Sequence, residues 1–303
     1  MLTVDHITKR VGNATLLNAC SLDLAPGKFL AVVGANGAGK STLLKIISGE
    51  QKATSGDVLY NDLPLSLYKP KVLSKIRATL PQHTSVNFPF TVSQVVEIGR
   101  YTHASTRSEN HAIIQEVLEV TQLSPYAERT YQTLSGGEQQ RVQMARIMVQ
   151  LWGNQKEPRY LLLDEPTSSL DLAQQQLLLR QAAMLKEQNI GVLAILHDLN
   201  LALQFADQIL FLKKGETVAY GDIQEVVTEP IIEETYDHPV HLLSDNERRI
   251  VVPGKIGRSA YVSDERSKTW CRSCPALQPK MLLKSTPTFS SINGLLHGKH
   301  HDN

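Results

Sequence analysis

GANGAGKST, residues 34–42, fits the pattern G-x-x-x-x-G-K-[ST], and its flanks give it a context. Before it, FLAVV at 29–33 is an unbroken apolar run of strand length. After it, Leu43, Leu44, Ile46 and Ile47 recur at helical spacing, and Gly49 stands where the helix should stop. The order is strand, glycine loop, helix. Glycines let successive backbone N–H groups turn towards one anion, and the helix adds the positive end of its dipole. The stretch predicts a phosphate cradle of Gly34, Asn36, Gly37, Ala38, Gly39, Lys40, Ser41 and Thr42. In it Lys40 reaches the β- and γ-phosphates of a nucleotide, the Ser41 hydroxyl ligates Mg²⁺, and the Thr42 N–H faces the α-phosphate.

A second stretch, YLLLDEP at 160–166, is a hydrophobic strand ending in two acids. Ligands of a parallel sheet lie off the carboxyl ends of its strands, so Asp164 and Glu165 are expected beside the loop that carries Lys40. Asp164 suits Mg²⁺ held through water. Glu165 suits the water that attacks the γ-phosphate, as its general base or orienting group.

Further strands are expected at 191–196, at 209–212 and, after the turn Lys213-Lys214-Gly215-Glu216, at 217–220. Between about 85 and 150 the pattern turns helical: Thr91-x-x-Gln94 is a capping box, and Ile113, Ile114, Val117 and Leu118 lie at helical spacing. Strands alternating with helices predict an α/β fold with a mainly parallel, covered sheet and a helical insert. The folded domain is expected over 1–253. Beyond Pro253 periodicity is lost, and residues 254–303 carry eight Lys/Arg against three Asp/Glu, the composition of a basic, disordered tail. A weak amphipathic segment at 281–283 on an anionic membrane surface is the less favoured reading of that tail.

The body, with 23 basic against 27 acidic residues, is poorly suited to neutralising a phosphodiester backbone, so no nucleic acid partner is expected. No apolar run reaches membrane-spanning length. Three cysteines cannot form a disulfide framework; Cys271-x-x-Cys274 has half the spacing of a zinc site, with no regularly spaced second half.

LSGGEQQRV, residues 134–142, holds a further capping box, Ser135-x-x-Glu138. Gly136 and Gly137 weaken a helix start and expose its N–H groups. Such a terminus is an anion site lacking an anion. Residues 34–42, Gln82, 134–141, Asp164-Glu165-Pro166, Ser169-Leu170-Asp171 and His197 together resemble an ATP-binding cassette ATPase in order and approximate spacing over about residues 1–253.

That resemblance implies a P-loop NTPase fold with a mainly parallel core, an antiparallel β subdomain and a helical subdomain. It implies ATP and Mg²⁺ as cofactors and a head-to-tail homodimer in which Ser135, Gly136, Gly137 and Glu138 close over ATP on the other subunit. Gln82 is expected to contact Mg²⁺ or the attacking water, His197 to touch the γ-phosphate and hold Glu165, and Asp171 to tie the two sites together. The family's adenine-stacking aromatic is missing near Lys9-Arg10-Val11, and Val11 is expected to pack on the base instead. LPQHTSVNFPFTVSQVVEIGR and LHDLNLALQFAD resemble the importers of iron, siderophores, haem and vitamin B12. LSGGEQQRVQMARIMVQLW and PRYLLLDEPTSSLDLAQQQ resemble the haemin type. The implied partners are two transmembrane permease subunits and, indirectly, a periplasmic binding protein, with the ATPase peripheral on the cytoplasmic face of the bacterial inner membrane. Ferric-siderophore or vitamin B12 import is the alternative cargo.

Overall fold

The structure, a computed structural model, describes residues 1–82, 86–153, 157–245 and 248–254. Its strands are β1 (Leu2–Val11), β2 (Ala14–Leu24), β3 (Phe29–Val33), β4 (Ser55–Tyr60), β5 (Leu63–Pro64), β6 (Arg77–Leu80), β7 (Arg159–Asp164), β8 (Ile190–Ile195), β9 (Gln208–Lys213), β10 (Glu216–Asp222), β11 (Val240–Asp245) and β12 (Arg248–Pro253). Six of them form the central sheet in the order β10-β9-β3-β8-β7-β6, parallel except for the β9–β10 hairpin. A second, antiparallel sheet runs β2-β1-β4-β5, and β11–β12 is a separate hairpin.

β3, β7 and β8 are buried at every residue, the pattern of parallel strands covered on both faces. Alternation assigns each residue to one of two cores. Phe29, Ala31, Val33, Leu161, Leu163, Val192 and Ala194 face the helical side, while Leu30, Val32, Tyr160, Leu162, Leu193 and Ile195 face the antiparallel sheet and the helix after the glycine loop. Each fully buried aliphatic side chain contributes roughly 1.5–3 kcal/mol, so this doubly covered sheet is the rigid base for the loops at its carboxyl edge.

The helices are α1 (Lys40–Ile47), α2 (Pro70–Ile76), α3 (Val92–Glu97), α4 (Arg107–Val120), α5 (Gly136–Leu151), α6 (Leu172–Met184), α7 (Leu199–Phe205), α8 (Ile223–Val226) and α9 (Glu229–Tyr236). α1 ends as expected: Gly49 takes a left-handed φ of 77° and its N–H returns to the Ile46 carbonyl at 3.0 Å. Both expected capping boxes form, and a third, Thr106 with Glu109, starts α4. None of the helices among the described residues is long and apolar enough to cross a membrane. Cys271, Cys274 and the basic stretch from 255 onward lie outside the described residues.

Candidate nucleotide site

The loop between β3 and α1 encloses a cavity of about 260 Å³ lined by Leu16, Asn36, Gly37, Ala38, Gly39, Lys40, Ser41, Thr42 and Glu165. Two glycines are required by close approach. A Cβ at position 34 would collide with the Leu212 carbonyl, and one at position 39 would stand 2.7 Å from the Leu16 carbonyl oxygen. Lys40 is 5% exposed, and its Nζ donates to the carbonyls of Gly34 at 2.8 Å and Ala35 at 3.0 Å. Burial lowers its pKa, opposed by the charges of Glu165 and Asp164.

β7 delivers the acids. Asp164, 7% exposed, ends the strand, and the Ser41 hydroxyl donates to its Oδ1 at 3.5 Å. Burial raises its pKa, and the adjacent Glu165 adds to the effect. The backbone then turns sharply: Glu165 has φ 48°, a left-handed conformation costing a non-glycine residue roughly 1–3 kcal/mol, and the turn throws its side chain towards the loop cavity. Both carboxylate oxygens of Glu165 are held. Gln82 Nε2 donates to Oε2 at 2.7 Å, and His197 Nε2 lies 2.7 Å from Oε1. The Glu165 side chain is 15% exposed and that of His197 43%. Gln82 reaches it from the end of β6, and His197 from the turn after β8; both strands neighbour β7.

Ser41 and Asp164 present a hydroxyl and a carboxylate across 3.5 Å, a hard oxygen pair of the kind Mg²⁺ uses when substrate phosphates and water complete its shell. The residues therefore fit the ion.

A different surface holds the other expected residues. Ser135 caps α5: its Oγ and N–H both donate to the Glu138 carboxylate at 2.8 Å, which holds that carboxyl below its ordinary pKa. A Cβ on Gly136 would meet nothing, whereas one on Gly137 would run into the Gln174 side chain. Gln174 lies in the first turn of α6, capped by Asp171 through a 2.8 Å bond from the Gln174 N–H. Asp171 and the start of α5 are thus neighbours. Neither Ser135 to Glu138 nor Asp171 lines the loop cavity.

Val11, expected to pack on the base, is not among the residues that line the loop cavity. Val11 stands at the end of β1, 55% exposed, whereas Leu16 of β2 does line the cavity. Gly39 and Gly215 leave room for the Leu16 main chain, and register shifts along β1–β2 set which residue of the strand faces the loop.

A profile described as ABC transporter matches residues 17–168, from β2 through the loop cavity and the start of α5 to the acids after β7. The chain belongs to the ABC transporter family. This cassette is 42% identical over 238 residues to the hemin import ATP-binding protein HmuV of Rhizobium meliloti, covering 78% of the chain and 91% of that protein. It is 43% identical over 236 residues to the protein of the same name from Bradyrhizobium diazoefficiens, covering 77% and 87%. Among solved structures it is similar to a metal-chelate type ABC transporter in an inward-facing conformation, with TM-score 0.70, 27% identity and coverage of 84% of this chain and 97% of that one. It is also similar to the dimeric structure of a post-hydrolysis state of the ATP-binding cassette MJ0796 bound to ADP and Pi, with TM-score 0.63, 27% identity and coverage of 74% and 99%. The cassette is an ATPase whose hydrolysis is coupled to transport.

Proposed function

We propose that this cassette energises haem uptake, working as a homodimer beneath two transmembrane permease subunits on the cytoplasmic face of a bacterial inner membrane, where a periplasmic binding protein supplies the cargo. The observation that carries the hydrolytic part is the Glu165 carboxylate, fixed through both oxygens by Gln82 and His197 at the edge of the phosphate cavity. Haem as cargo is favoured by 42–43% identity to proteins named for hemin import. A ferric siderophore or vitamin B12 is the second reading, favoured by the likeness to a metal-chelate type transporter.

The chemistry divides among residues already placed. Backbone N–H groups from Gly34 to Thr42 and the Lys40 ammonium hold the phosphates, Lys40 exchanging its carbonyl partners for them. Ser41 and Asp164, with Gln82 nearby, would hold Mg²⁺, which neutralises charge on the phosphates. Glu165 takes the proton of the attacking water, and His197 fixes the carboxylate and reaches the γ-phosphate. The start of α5 is exposed and outside its own chain's cavity, so Ser135, Gly136, Gly137 and Glu138 close over ATP on a second copy; Asp171, beside Gly137, joins the two sites. Phe88, Phe90, Ile98 and Tyr101 on the helical subdomain, all exposed, are the apolar surface that passes closure to the permease. The catalytic domain spans 1–253.

The test is ATP turnover by the purified chain with and without a haem permease in proteoliposomes. Turnover that rises with the permease and with haem-loaded binding protein supports the reading. Stimulation by a siderophore system alone would transfer the cargo, and turnover indifferent to any permease would remove the transport role.

A further inference from the structure

His197 sits between β8 and α7, and α7 has only seven residues, too short to hold its own position. Its seat is therefore set by contacts. Asp198 caps it, accepting the N–H groups of Asn200 at 2.7 Å and Leu201 at 3.3 Å, while Leu201 and Ala202 are buried beneath it. The Asn200 side chain turns the other way, to β12. Its Oδ1 accepts the Val251 N–H at 2.8 Å and its Nδ2 donates to the Val251 carbonyl at 3.2 Å. One amide thus pairs with both main-chain groups of one strand residue, as a neighbouring strand would.

The hairpin that carries Val251 is itself tied down. Glu229 and Glu233 of α9 accept the N–H groups of Leu242 at 2.6 Å and Val240 at 3.0 Å. Lys213, at the end of β9, binds Asp237 at 2.6 Å just beyond α9. The Tyr236 hydroxyl at the end of α9 is buried, and burial pushes its phenol up to about 12. The segment from α9 to β12 is therefore tied to the end of β9 on one side and to the helix behind His197 on the other.

We propose that Asn200 is a positioning residue for hydrolysis: its two-way pairing with Val251 seats α7 and so holds His197 against Glu165, making the β11–β12 hairpin part of the catalytic apparatus. This rests on the reading of His197 and Glu165 given above. An amide that only stabilised the hairpin would affect folding and leave the chemistry alone.

A double-mutant cycle in the full chain separates the two, read by single-turnover hydrolysis with excess enzyme so that slow variants remain measurable. Asn200→Ala is expected to lower kcat by about tenfold or more while KM for MgATP stays within about twofold. In a His197→Ala background the same change should cost less than about twofold, because nothing is left for it to position. Asn200→Asp, which keeps the acceptor for the Val251 N–H, should fall between, and it is the variant to read if Asn200→Ala does not fold. A loss of equal size in both backgrounds, or none in the wild type, overturns the proposal. A fully active His197→Ala overturns instead the reading of the site.

Discussion

His197 Nε2 lies 2.7 Å from Glu165 Oε1, although the two residues leave different strands of the central sheet. Gln82 holds the other oxygen at the same distance, so the carboxylate has no freedom to rotate away from the phosphate cavity. Glu165→Gln keeps the shape and removes the proton acceptor. It should bind MgATP with unchanged affinity, accumulate as a dimer and hydrolyse about 10²–10⁴-fold more slowly, measured by phosphate release and size-exclusion chromatography with ATP. Full turnover in this variant would take Glu165 out of the chemistry.

The glycines of the two loops should respond in opposite ways. Gly34→Ala drives a Cβ into the Leu212 carbonyl at a left-handed φ, so the variant should lose nucleotide binding and fold poorly. Gly136→Ala meets open space, and the folded chain should be as stable as the parent or slightly more so. Its ATPase rate should nevertheless drop if the start of α5 closes over a partner's nucleotide as proposed, because the added methyl would stand in that contact. Thermal melts with paired turnover assays decide both.

Two capping boxes of the same design offer a control. Ser135→Ala and Thr106→Ala each remove a side-chain acceptor at a helix start and should each cost about 1 kcal/mol in denaturant unfolding. Only Ser135→Ala should also slow hydrolysis. Equal activity in the two variants would argue that the start of α5 is a cap and nothing more.

His103 Nε2 contacts the Gln150 carbonyl at 2.9 Å, and its pKa is lowered, first by burial and then by the charge of Arg100, with Lys75 and Arg159 adding to it. The unfolded chain therefore binds this proton more readily than the folded one. The stability it supports is complete above the ordinary value of 6.5 and is lost as pH falls through the lowered folded value. Unfolding free energy should fall as pH drops through 6.5 towards the lowered folded value, and His103→Gln should flatten that slope. An unchanged slope would assign the pH dependence to other groups.

Much of this was legible residue by residue. β3, the glycine loop and α1 follow from FLAVVGANGAGKST because each is built from contacts within a few residues: an apolar run, positive-φ glycines and a helical stripe. The caps at Thr91 and Ser135 were equally local. The cap at Thr106 has the same local signature, Thr-x-x-Glu. That Leu16 lines the cavity depends on register shifts in β1–β2 and on the space beside Gly39 and Gly215.

The chain alone determined the glycine loop before α1, the acids that end β7 and the exposed glycine at the start of α5, since backbone geometry and side-chain type at those positions leave few alternatives. Only the tertiary structure decided that Gln82 takes the second oxygen of Glu165, because the order β8-β7-β6 places three distant segments at one sheet edge. It also decided that Asn200 reaches Val251 across 51 residues. Contacts of that range depend on how layers pack, and no local pattern of residues encodes the packing.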